Sequence, residues 1–102
     1  MTPEKIVQNN IINYLKKLEK EGKPVYCERR QAGGFSYKMG IADLYAVVKG
    51  IHIEIEVKQP GGHLRPMQIK WQEQCKAKQI QHIVAMNVDD VKVVVEKILN
   101  TK

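Results

Sequence analysis

Three residues near the middle of the chain have the types and spacing that chemistry needs: Asp43, Glu56 and Lys58. They lie on two β-rich runs, 41–48 and 51–58, joined at Lys49-Gly50, and a glycine at such a junction predicts a hairpin. With the turn centred on Lys49-Gly50, Val48 faces Ile51, Ala46 faces Ile53 and Asp43 faces Glu56. Directly opposed residues hold their Cβ atoms roughly 4.5–5.5 Å apart, and like charges so placed destabilise a sheet. A divalent cation relieves that repulsion. Mg²⁺ takes hard oxygen ligands, usually one or two carboxylates with water and substrate phosphate. Lys58 follows Glu56 on the same strand face, where an ammonium can hold an attacking water or stabilise charge developing on a phosphate. The competing reading is a solvated strand face with cross-strand salt bridges. Two features favour the site. Asp is depleted in strands, so Asp43 needs a reason. The turns at Gly40 and at Pro60-Gly61-Gly62 leave the acidic end open to a large ligand.

The same alternation puts Leu44, Ala46, Val48, Ile51, Ile53, Ile55 and Val57 on one apolar face, which must be core, and Asp43, Tyr45, His52, Glu54, Glu56 and Lys58 on the other. Around this hairpin the pattern alternates helix and strand. Thr2-Pro3 opens a helix, with a capping hydroxyl and then proline at the first helical position. Val7, Ile11, Tyr14, Leu15 and Leu18 form its apolar stripe, and Gly22 and Pro24 end it. A short strand is predicted near 24–29, followed by a glycine-bearing loop from Gln31 to Gly40. A second helix starts at Pro66, with Met67, Trp71 and Cys75 on one face. A fourth strand is expected near 80–87, where Ile80, Val84 and Met86 alternate. A last helix follows, capped by Asp89 or Asp90, with Val91, Val94, Val95 and Ile98 inward. The order α-β-β-β-α-β-α predicts one α/β domain over 1–102, with a mixed four-stranded sheet flanked by helices.

Composition agrees with a single folded domain. The chain has 102 residues, 43% hydrophobic and 27% charged, enough to bury a core without disulfides. Cys27 and Cys75 lack metal-type spacing and are expected to be buried, reduced thiols. No apolar run approaches the roughly 20 residues of a membrane helix, and the N-terminus lacks a signal-peptide stretch. A soluble cytoplasmic protein is the expectation. A net charge of +6 points to a polyanionic partner, nucleic acid foremost.

At these residues the chain resembles the VRR-NUC domain family of the PD-(D/E)XK nuclease superfamily, found in phages, bacteria and a eukaryotic repair nuclease. Gly40-Ile41-Ala42-Asp43-Leu44 resembles the family's Gly-x-Pro-Asp segment, and Glu56-Val57-Lys58 its Glu-x-Lys. Gln68, followed by Trp71, resembles the glutamine on the next helix, and Glu4-Lys5-Ile6-Val7-Gln8 the acidic start of the first. Ala42 replaces the usual proline, a difference of backbone shape and not of chemistry. Glu54 stands where a more apolar residue is usual and is a candidate salt-bridge partner. The resemblance implies a restriction-endonuclease-like core and a Mg²⁺ or Mn²⁺ ion. The ion would be held by Glu4, Asp43, Glu56 and the Val57 carbonyl, and Lys58 and Gln68 would orient water and substrate. It further implies an endonuclease acting on DNA, of the Holliday-junction-resolvase type, working as a homodimer, in the host cytoplasm if encoded by a phage.

Glu4 falls in register with the first helix's apolar stripe, so its carboxylate either reaches the site, with Gln8 as a substitute, or is a first-turn acid favoured by the helix dipole. Arg29, Arg30 and Lys38 flank the glycine loop and, with Arg65, are candidate phosphate contacts. Phe35 and Tyr37 are candidate wedges. His52, His63 and His82 have no zinc-like partner at short spacing. The rival from another class is a binding module that keeps the nuclease fold without cutting.

Overall fold

The computed structural model describes residues 1–30 and 40–102. Lys38, Phe35, Tyr37 and the Gly33-Gly34 pair lie outside the described residues. The elements run α1 (Pro3–Lys20), β1 (Val25–Arg29), β2 (Leu44–Val48), β3 (Ile51–Val57), α2 (Pro66–Ala77), β4 (Gln81–Ala85) and α3 (Val88–Leu99). The predicted order holds. The four strands form one sheet in the order β1-β2-β3-β4. β1, β2 and β3 pair antiparallel, and β4 joins parallel to β3. A parallel partner needs a crossover, and α2 supplies it.

The β2–β3 register is the predicted one, with Val48 opposite Ile51 and Leu44 opposite Ile55. The turn explains its sharpness. Lys49 and Gly50 both have positive φ, 51° and 80°, the pattern whose twist matches the flanking strands. One sheet face is the core. Leu44, Ala46, Val48, Ile53, Ile55, Val57, Ile83 and Ala85 are buried there with Val25 and Cys27, against Ile11 and Leu15 of α1 and Val91 and Val95 of α3. Fully burying each large aliphatic contributes about 1.5–3 kcal/mol, so this layer is the main source of stability. Both cysteines are buried and free, as expected.

Four local expectations change. Ile51, at the turn, is exposed, although its cross-strand partner Val48 is fully buried. In β4 the buried residues are Ile83 and Ala85, while Val84 and Met86 are half-buried on the other face. The cap of α3 is Asn87, whose side chain accepts from the Asp90 N–H at 3.0 Å. Asp90 reaches back to accept from the Met86 N–H at 2.9 Å. On α2, Met67 points outward and Gln68 takes its inward place beside Trp71 and Cys75. That last change matters most, because α2 thereby presents an amide, and not a thioether, to the ionisable face of β3.

Candidate active site

Asp43 lies just before β2 and Glu56 near the end of β3, so the hairpin brings them together at one end of the sheet. Their carboxylates interlace with the backbone. The Asp43 N–H donates to Glu56 Oε2 at 3.2 Å, and the Val57 N–H donates to Asp43 Oδ2 at 3.3 Å. Each acid is thus held by the strand that carries the other. Lys58 is buried, its Nζ 3.9 Å from Glu56 Oε1, while its N–H continues the ladder to the Ala85 carbonyl at 2.9 Å.

Gln68 does two jobs. Its Oε1 accepts from the Arg65 N–H at 2.8 Å, closing the first turn of α2, and its Nε2 donates to Glu56 Oε1. Pro66 sets that helix start. Gly40 sets how closely the chain can approach it. Its φ is +82°, and a Cβ there would lie 2.3 Å from the Met67 carbonyl oxygen. Only glycine fits where the segment entering Asp43 meets the first turn of α2.

The electrostatics follow from burial. Burial pushes the Glu56 carboxyl up, and the facing Asp43 charge adds to it, reaching about 7; Lys58 opposes the shift. Burial also raises Asp43, against the Val57 N–H, and Glu4 raises it further, while Lys58 and Arg65 pull it down. Glu4 therefore acts on both acids, and Arg65 acts on Asp43. Glu4 lines a shallow groove with Thr2, Lys5, Gln8 and Gln59, and the buried Oε1 of Gln8 has no hydrogen-bond partner among the described residues.

Two facing carboxylates, both disfavoured as anions, suit a hard divalent cation that keeps several of its waters. The orphaned Gln8 oxygen beside Glu4 is a further acceptor that a hydrated ion could satisfy. Among the described residues no three His, Cys, Asp or Glu side chains converge closely enough to hold an ion by themselves. The site is a pair of acids with Glu4 nearby, and not a closed cage.

The expected phosphate contacts divide. Arg29 donates to Asn9 Oδ1 at 2.7 Å on an exposed surface. Arg30 is paired inside the fold: its guanidinium forms a bidentate pair with Glu54, Nη1–Oε1 2.6 Å and Nη2–Oε2 2.7 Å. Glu54, which also accepts from Trp71 Nε1 at 3.1 Å and from His52, is the centre that sequence reasoning noticed only as a possible salt-bridge partner. Its departure from the family pattern was the available signal. Trp71 is half-buried, packed and hydrogen-bonded. His63 is exposed.

No protein-family model and no curated protein matches the chain. Among solved structures, a VRR_NUC domain superposes with a TM-score of 0.75 over 94% of this chain and 97% of that one, at 18% sequence identity. No helix is long and apolar enough to cross a membrane among the described residues. On that superposition, the chain has the fold of a VRR_NUC domain.

Proposed function

We propose that this chain is a VRR-NUC-family nuclease, a metal-dependent endonuclease that hydrolyses phosphodiester bonds in DNA at the Asp43–Glu56–Lys58 end of the hairpin. One observation carries the reading: two facing carboxylates, both pushed above their ordinary values, share a sheet end with a buried lysine ammonium on this fold. The proposed ion is Mg²⁺ or Mn²⁺, with Asp43, Glu56, the Val57 carbonyl and Glu4 as its protein ligands. Such an ion, held there, would polarise a phosphate and lower the pKa of a bound water.

The chain's own residues do the rest. The Gln68 amide fixes the Glu56 carboxylate, so its free lone pairs keep one direction. Lys58, whose Nζ lies 3.9 Å from Glu56 Oε1, would hold the attacking water or neutralise charge gathering on the phosphate. Arg65, at the rim, and Arg29 meet flanking phosphates, which positions the strand without reading its sequence. One site cuts one strand. A homodimer presents two, which suits a four-way junction in the cytoplasm.

A second reading, a nucleic-acid-binding module that does not cut, is favoured by the absence of a third converging ligand among the described residues. A cleavage assay separates the two. A labelled four-way junction and a matched linear duplex are incubated with Mg²⁺, Mn²⁺ or EDTA, with wild type and Asp43→Ala. Metal-dependent paired nicks on the junction, lost in Asp43→Ala, are the expected result. Equal cutting of both substrates keeps the nuclease and removes junction selectivity. Binding without cutting under any metal hands the site to the second reading.

A further inference from the structure

Glu54 stands one step back from Glu56 on the same face of β3 and is 1% exposed. Two arms leave it. The first runs through Arg30, whose Nη1 also donates to the Ala42 carbonyl at 3.1 Å and whose N–H donates to the Asp43 carbonyl at 2.9 Å. The Arg30 guanidinium lies 5.0 Å from the Tyr45 ring centroid, which braces its plane. The second arm runs through Trp71, on the turn of α2 that follows Gln68, whose amide holds Glu56.

We propose that Glu54 is a positioning residue for both acids of the candidate site: it fixes Asp43 through Arg30 and fixes Glu56 through Trp71, α2 and Gln68. The inference rests on the reading of Asp43 and Glu56 as the reacting centre. Its physical basis is that α2 meets β3 through polar contacts. An apolar interface tolerates sliding, whereas two hydrogen bonds from Gln68 and Trp71 to alternate residues of one strand specify a single register. Outer partners that orient metal-binding carboxylates typically matter 10- to 100-fold.

Glu54→Gln is a poor probe, because it strands the Arg30 charge and endangers the fold. Trp71→Phe removes one N–H and keeps the ring, and Arg30→Lys keeps the charge but loses the bidentate fork. The test is a double-mutant cycle of Trp71→Phe with Gln68→Ala, read in kcat and KM on DNA. It is paired with the NMR position of the Gln68 side-chain amide. Trp71→Phe is expected to lower kcat about tenfold with KM within about twofold. It should move the Gln68 amide toward its free-glutamine position and add nothing further in the Gln68→Ala background. Arg30→Lys is expected to lower kcat by a similar factor and to shift the Asp43 amide signal. Independent, multiplying effects with unmoved Gln68 and Asp43 signals overturn the proposal, even if the protein cuts DNA. If the wild type cuts nothing, the NMR arm still decides whether Glu54 positions the pair, and the nuclease reading fails separately.

Discussion

Glu54 and Glu56 are two residues apart on one face of one strand, and both are shut away from solvent, at 1% and 2% exposure. Burial pushes each carboxyl up. For Glu54 the Arg30 fork, His52 and Trp71 outweigh burial and hold it below its ordinary value. For Glu56 the next influence is the like charge of Asp43, and Lys58 only partly offsets it. Identical side chains on the same strand face therefore sit in opposite electrostatic surroundings. Glu54 is satisfied by its donors, whereas Glu56 faces a like charge and is held above its ordinary value. Perturbed groups mark functional candidates only when their partners are also counted, because ion-pair networks perturb pKa as well.

Neutralising each acid in turn separates their roles. The largest expected effect is on turnover: Glu56→Gln lowers DNA hydrolysis on the order of a thousand-fold, while the same protein stays folded by circular dichroism. Glu54→Gln acts on the fold instead. Leaving the half-buried Arg30 charge without its partner costs about 1.5–3 kcal/mol, read as a drop in the urea midpoint.

pH sharpens the contrast. The unfolded chain releases the Glu56 proton near 4.5 and the metal-free fold only near 7. Protonated Glu56 thus contributes stability that is fully present below about pH 4.5 and is lost as pH rises through 7. The size is roughly 3 kcal/mol, and Asp43, also raised, works in the same direction. Glu54 has the opposite sign: its stabilisation is present above the unfolded pKa and is lost as acid protonates the folded carboxylate. Urea titrations from pH 4 to 8 should show the neutral-side decline in wild type and a much flatter profile in Glu56→Gln.

Gln68→Ala gives a smaller effect, about 10- to 100-fold in Mn²⁺ affinity by electron paramagnetic resonance, because it loosens a ligand without removing it. Least of all, Arg65→Ala is expected to reduce the salt dependence of DNA binding by about one unit of slope, uniformly across sequences.

How far these features were legible in the sequence differs by residue. The hairpin was readable because its information is local. Lys49-Gly50 sets the turn, alternation sets the faces, and together they put Asp43 against Glu56. The start of α1 at Thr2-Pro3 was equally local. The inward face of α2 was not, because Gln68 fills a position where periodicity seeks an apolar residue and Met67 supplies a misleading one. The role of Arg30 was hidden for a different reason. Its partner is 24 positions away, and an arginine beside a glycine loop reads as a phosphate contact unless the strand order is known. Three cap-competent residues, Asn87, Asp89 and Asp90, blurred the start of α3, which only geometry resolves.

The most direct test of the account is a thermal melt of wild type and Glu56→Gln at pH 8, each with and without Mn²⁺. Without metal, Glu56→Gln should melt higher. Relief of roughly 3 kcal/mol of unfavourable ionisation exceeds the roughly 1 kcal/mol lost where an amide N–H₂ meets a backbone donor. With Mn²⁺, wild type should gain several degrees and overtake the variant, which should gain little. A variant that melts lower than wild type without metal, together with a wild type that ignores Mn²⁺, would contradict the claim that Asp43 and Glu56 form a cation site.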